Sequence, residues 1–221
     1  MADGKALQDA FVDELRDSYD GEKQLIKALP KLAKTATAPE LREAFESHLE
    51  ETRGQVTRLE EVFGLLGEKA RGKHCEGIAG IVEEGKAIME EDFDDATMDA
   101  CLVAGGQRAE HYEIAAYGTL VAWAQALGHD EAAELLQQTL DEEKAADEKL
   151  SAIAEGGVNQ EAASAGRGDA EEDSGAPSSR KGTRQNGVAH PAPVKRSSSP
   201  SQSEADDDET HALAGAPRAG A

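Results

Sequence analysis

Gln107-Arg108-Ala109-Glu110-His111-Tyr112-Glu113-Ile114-Ala115-Ala116-Tyr117-Gly118 is the stretch whose reading decides the fold. It is rich in helix formers. Its two carboxylates, Glu110 and Glu113, stand three residues apart and so share one face. Around them Leu102, Gly106, Ala109, Ala116, Leu120, Ala124 and Leu127 recur at spacings of three and four. That is the stripe a helix turns toward a core. Glu113 is in register with the stripe and Glu110 lies just beside it. A buried carboxylate is costly unless it is paired or bound to a metal. The reading therefore turns on what the other helices bring to the same level.

Working outward, the same spacing predicts four long helices and one short one, with no strand pattern. The first spans about 7–36, with Phe11, Leu15, Ser18, Glu22, Leu25 and Leu29 on its seam. Pro30 is expected to remove one backbone bond and kink it. Pro39 suits the start of the second helix, and Gly67 suits its end. Leu41, Phe45, His48, Thr52, Gln55, Leu59, Val62 and Leu66 form its seam. A short helix near 75–89 follows. Asp92 to Asp95 cap the next helix, which runs to Leu127 and contains the opening stretch. Gly128-His129-Asp130 is a tight turn. The last helix, to about Ala154, has Ala133, Leu136, Leu140, Glu143, Asp147 and Leu150 on its seam.

Seams at spacings of three and four on four long helices imply near-parallel packing in an all-α four-helix bundle. The short turns make two antiparallel hairpins. The long connection between them, with its extra helix, can cross the length of the bundle, as in ferritin-like topologies. In a hairpin, residues equally far from the turn share a height. Glu22, His48 and Glu51 are level to within about one turn at roughly 1.5 Å per residue. So are Glu110, Glu113, Glu143 and Asp147 in the second hairpin. Whether the two layers coincide does not follow from the sequence.

If they do, a belt of Glu22, His48, Glu51, Gln55, Glu110, Glu113, Glu143 and Asp147 would be untenable in an apolar core without cations. Two divalent ions bridged by carboxylates would resolve it. An oxygen-rich set with one nitrogen donor suits iron or manganese better than zinc. The blander reading is a solvated face, or pairing with Lys and Arg. Glu51 lies at the seam's edge, and Glu142 points off the seam into solvent. Tyr19 and Tyr117 lie about a turn from Glu22 and Glu113, so either can donate to a ligand carboxylate. His111 faces away from Glu113 and reads as surface or interface. Trp123 reads as packing. Lys73-His74-Cys75-Glu76 holds metal-capable atoms, but one Cys and one His do not make a site.

Composition narrows the class. The chain has 221 residues and a formal net charge of -22. Nucleic acid is an unfavourable partner, since its phosphates would be repelled. Two cysteines are too few for a disulfide framework. The first residues carry no signal-peptide pattern, and no apolar run approaches membrane-spanning length. A cytoplasmic protein with no membrane partner is expected. From Gly156 the chain turns to Ser, Ala, Gly, Pro and charge, which cannot bury enough surface to offset ordering entropy. The expected organisation is a bundle over 1–155 and a disordered, low-complexity tail over 156–221.

Four runs in order carry a resemblance: Asp17-Ser18-Tyr19-Asp20-Gly21-Glu22-Lys23-Gln24-Leu25; His48-Leu49-Glu50-Glu51-Thr52 with Gln55-Val56-Thr57-Arg58-Leu59-Glu60; Gln107 to Glu113; and Glu142-Glu143-Lys144-Ala145-Ala146-Asp147. Over about 7–155 the chain resembles the YciE/YciF family of ferritin-like proteins. The resemblance implies a ferritin-like bundle, a homodimer, an association with stress responses and a rubrerythrin-like dimetal site. In that site Glu110 and Glu113 match a two-glutamate motif. The chain departs from the rubrerythrin pattern twice. Glu51 is followed at plus three by Gly54 rather than His, and the fourth motif ends in Asp147 rather than His. Two function classes follow. One is a dimetal redox protein acting on peroxide or iron, with Glu22, His48, Glu51, Glu110, Glu113, Glu143 and Asp147 as metal ligands. The other is a non-enzymatic stress-response binding or structural module with a vestigial belt.

Overall fold

The computed structural model describes residues 6–172, with side chains to 165. The helices are α1 (Leu7–Thr35), α2 (Pro39–Leu65), α3 (Glu76–Met89), α4 (Asp95–Leu127), α5 (Asp130–Ile153) and α6 (Asn159–Glu172). A kinked segment, Ala154–Val158, joins the last two. The boundaries have local causes. Pro39 occupies the first position of α2, where its missing N–H costs nothing. Asp94 caps α4, its Oδ1 accepting from the Thr97 N–H at 3.0 Å. Gly128 closes α4 in the left-handed conformation, with φ at 77°, which glycine adopts without strain. α1 runs unbroken through Pro30.

The four long helices form a ring in which α1 packs on α2, α2 on α5, α5 on α4 and α4 on α1. α2 and α4 are therefore diagonal. Two contacts fix the direction of α4. Asp99, near its start, reaches the turn between α1 and α2. There its carboxylate accepts from the Thr37 N–H at 2.8 Å, the Thr37 hydroxyl at 2.6 Å and the Ala38 N–H at 2.7 Å. At the opposite end His129 meets Gln8 at 2.8 Å and stacks on Phe11. So α4 starts beside the α1–α2 turn, and the connection carrying α3 traverses the bundle. This is the ferritin-like topology expected from the two hairpins and one long connection. α3 lies against α1 and α4.

The interior has two apolar clusters. One gathers Phe11, Leu15, Leu59, Phe63, Tyr117, Leu120 and Leu136. The other gathers Leu25, Leu29, Leu41, Phe45, Met98, Leu102 and Leu150. On each long helix buried polar residues fall between these two sets: Glu22, His48, Thr52, Gln55, Glu110, Glu113 and Glu143. Asp99 and Thr139 are buried elsewhere, each within the span of one cluster. The belt is therefore a layer across the middle of the bundle.

The expected end of order at Glu155 needs correction. Helix resumes after a kink at Gly157, Ala154 and Val158 are buried, and α6 packs on α4. The Gly156-Gly157 pair bends the chain without ending it. Val158 then supplies an apolar anchor, and the Gln160-to-Ala165 run contains good helix formers. The low-complexity composition beyond this point masked that short stretch. The disorder expected of 173–221 lies outside the described residues. No helix among the described residues is long and apolar enough to cross a membrane.

Candidate metal centre

All four helices of the ring deliver side chains to the polar layer. Periodicity explains why: each residue occupies a seam position that would otherwise hold an apolar side chain. His48, Glu110, Glu113 and Glu143 each place one ligand atom within 4.8 Å of the others, and all four are buried. His48 Nε2 is 3.5 Å from Glu110 Oε1 and 3.8 Å from Glu143 Oε2. The two layers inferred from the separate hairpins thus coincide. This group can hold a metal ion.

Glu22 is fully buried beside the group and outside it. Its Oε1 accepts a short hydrogen bond from the Tyr117 hydroxyl. Glu51 and Asp147 are not brought into the group. The Glu51 side chain is 44% exposed, and its Oε2 accepts from His48 Nδ1 at 3.3 Å. That bond commits Nδ1 outward and leaves Nε2 for Glu110 and Glu143, so Glu51 orients the imidazole from behind. Asp147 lies 3.2 Å from the exposed His111 and accepts from Gln107 at 3.4 Å. The cause is angular. At 3.6 residues per turn Glu51 is offset by about 60° around α2 from His48, and Asp147 by about 40° around α5 from Glu143. With His48 and Glu143 pointing inward, those offsets leave Glu51 exposed and Asp147 half-buried on the flanks of their helices.

The expectation that Glu142 is solvated is also corrected. Arg58 grips it with both terminal nitrogens, at 2.8 and 2.9 Å, and also donates to Thr139 at 2.7 Å. Gln55 donates to Glu143 and, at 3.2 Å, to Glu142. Arg58 is thereby committed to Glu142. Among the described residues no Lys or Arg forms an ion pair with Glu22, Glu110, Glu113 or Glu143. The reading as a solvated or Lys/Arg-paired face therefore does not describe this layer.

Electrostatics follow from that isolation. Burial, reinforced by the charge of Glu143, holds the carboxyls of Glu22, Glu110 and Glu113 well above their ordinary range. Burial also raises Glu143, against the pull of His48. Glu51 moves the other way, lowered by its hydrogen bond from His48. Burial and the neighbouring Glu22 raise the Tyr117 hydroxyl, which keeps it a donor.

The other singled-out residues find ordinary places. Tyr117 donates to the layer, whereas Tyr19 donates to Glu60 at 2.7 Å. Trp123 packs against the first apolar cluster. Cys75 caps α3 and is buried against the Tyr112 hydroxyl at 3.4 Å, and His74 lies 3.4 Å from Asp20. Sequence reasoning missed two anchors, Arg58 and Asp99. Arg58 carried a usable signal as a cation one turn past Gln55 on the seam side of α2.

The arrangement can be set beside known proteins. A family model described as a domain of unknown function, DUF892, matches residues 6–163. The chain belongs to the DUF892 family. Protein YciF of Escherichia coli (strain K12) is 43% identical over 159 residues, which are 72% of this chain and 96% of that protein. This bears out the YciE/YciF resemblance. The crystal structure of the E. coli stress protein YciF superposes with a TM-score of 0.68, covering 71% of this chain and 99% of that one. YcfI from Rhodopseudomonas palustris, provisionally described as a structural protein, is 45% identical with a TM-score of 0.66, covering 68% and 96%. A protein from Xanthomonas campestris pv. campestris is 25% identical with a TM-score of 0.54, covering 76% and 99%. This DUF892 chain shares with these relatives the region that carries its polar layer.

Proposed function

We propose that the chain is a stress-associated ferritin-like metal protein whose polar layer holds two divalent cations, iron or manganese, and acts on peroxide or ferrous iron. One observation carries the reading. Glu22 Oε2, Glu110 Oε2, Glu113 Oε2, Glu143 Oε2 and Gln55 Oε1 are all buried without a hydrogen-bond partner. Each is an acceptor, the carboxyl oxygens when ionised, and none accepts a hydrogen bond from an amide, hydroxyl or cationic side chain. Unsatisfied buried acceptors cost about 1–3 kcal/mol each, and more when charged. Water would satisfy the atoms but not the charge. Cations satisfy both, and two divalent ions would neutralise the four carboxylates.

In this reading His48, Glu110, Glu113 and Glu143 hold metal, with Glu22 completing the second position. Bound iron or manganese would supply one-electron chemistry toward peroxide or oxygen. The protein's own part is to exclude bulk water, to fix His48 through Glu51, and to hold Glu22 through Tyr117 and Glu143 through Gln55. The stress association is supported by the E. coli relative, described as a stress protein. Protein purified from iron- or manganese-supplemented cells should contain about two ions per chain and consume peroxide. Absence of both ions, with a melting temperature indifferent to them, would refute the metal reading. The structural-module reading, favoured by the description of the R. palustris relative, would then replace it.

A further inference from the structure

A cavity of about 410 Å³ lies between α1, α3 and α4. Its deep end is formed by His48 and Glu110 of the polar layer together with Phe45 and Leu102. Leu25, Leu29 and Leu32 of α1, Ile81 and Val82 of α3 and Leu102 of α4 give it apolar walls. A bare ion or a peroxide molecule needs no apolar chamber of this size, which falls in the range of small-molecule sites. The mouth is basic. Lys27 and Lys31 of α1 are exposed, one turn apart, and line it. Neither makes an ion pair with another described residue. Asp20 at the same rim is already engaged by Gln24, His74 and the Cys75 N–H. Unpaired cations at one opening of a chain with net charge -22 mark that opening for an anion.

Two glycines keep the chamber open. Gly85 of α3 and Gly105 of α4 line it, and a Cβ built at either meets nothing within 4 Å. Glycine inside a helix is unfavourable relative to alanine. No close approach of protein requires glycine at these two positions.

We propose that this cavity binds a single-chain anionic amphiphile, a free fatty carboxylate. Its head meets Lys27 and Lys31, and its chain runs along Leu29, Val82 and Leu102 toward His48 and Glu110. The functional meaning rests on the metal reading, because it makes an apolar chain the substrate class presented to that centre. The binding itself does not depend on metal.

The test uses the full chain treated with chelator, titrated calorimetrically with decanoate, dodecanoate and tetradecanoate below micelle formation. One saturable site per chain is expected, with affinity rising roughly fourfold per added methylene while the cavity accommodates it. Gly105→Leu and Gly85→Leu should each weaken dodecanoate binding at least tenfold while melting no lower than wild type. The double variant Lys27→Glu/Lys31→Glu should also lose at least tenfold. No saturable binding by wild type overturns the proposal. So does unchanged affinity in both leucine variants, indifference to chain length, or binding only to anionic phospholipid vesicles. Metal content measured on untreated protein separates the two readings. Dodecanoate binding by a chain that never takes up metal sinks the metal reading alone. Full metal occupancy without dodecanoate binding sinks this inference alone.

Discussion

Glu113→Gln should stabilise the metal-free protein and diminish the further stabilisation that metal brings. Glutamine keeps the shape of the side chain and removes its charge. Glu113 is buried, lies within 4.8 Å of three other ligand groups, and has one oxygen without a partner. At pH 7.5 the folded metal-free protein must either bury that charge or hold a proton that the unfolded chain has released. Starting from an ordinary value of 4.5, holding the proton costs at most about 4 kcal/mol, at about 1.36 kcal/mol per pH unit. Glutamine escapes this cost, so the metal-free variant should gain a few kcal/mol toward that ceiling. At about 2–4 °C per kcal/mol for a chain of this size, its midpoint should rise by several degrees. With metal the advantage shrinks. Metal at a hundred times its dissociation constant stabilises by about 2.7 kcal/mol, and a variant lacking one ligand loses much of that. The assay is thermal unfolding of both proteins, chelated and with manganese or ferrous iron. A variant less stable than wild type in both states would refute the reasoning. It would show that Glu113 makes a stabilising contact with the protein and is not a ligand kept at a cost.

Four further outcomes follow from other contacts. The raised carboxyls of Glu22, Glu110 and Glu113 give a metal-free fold that binds more protons than its unfolded chain. Its stability should therefore be greatest near or below pH 4.5, so far as these groups decide it, and fall as pH rises through the folded values; chelated-protein denaturation curves between pH 5 and 8 that strengthen with pH would contradict this. Asp99→Ala removes the acceptor for two backbone N–H groups and one hydroxyl, and should cost about 2–4 kcal/mol in urea unfolding. Truncation after Glu155 removes buried Val158 and α6 and should lower the thermal midpoint by several degrees, whereas a chain ending at Glu172 keeps both. The homodimer expected from the family resemblance should tighten as salt screens the charge of -22, and sedimentation showing only monomer at high salt would count against it.

Much of this molecule was present in its sequence, because helix periodicity and capping are local. Spacings of three and four placed Glu22, His48, Glu113 and Glu143 on seams. Pro39, Asp94 and Gly128 marked their ends. Equal distance from a turn put the polar groups of each hairpin at one height. The tertiary structure decided what depends on relations between the hairpins and on rotation about each axis. It brought the two layers together, so that His48 Nε2 lies 3.5 Å from Glu110 across helices that sequence spacing does not connect. It turned Glu51 and Asp147 out of the group, since the rotation of each helix about its axis decides which of two residues one turn apart faces inward. It joined Arg58 to Glu142 across 84 positions of chain, a pairing no local pattern encodes. It also carried the fold past Gly157, where a single buried Val158 outweighed a composition that reads as a tail.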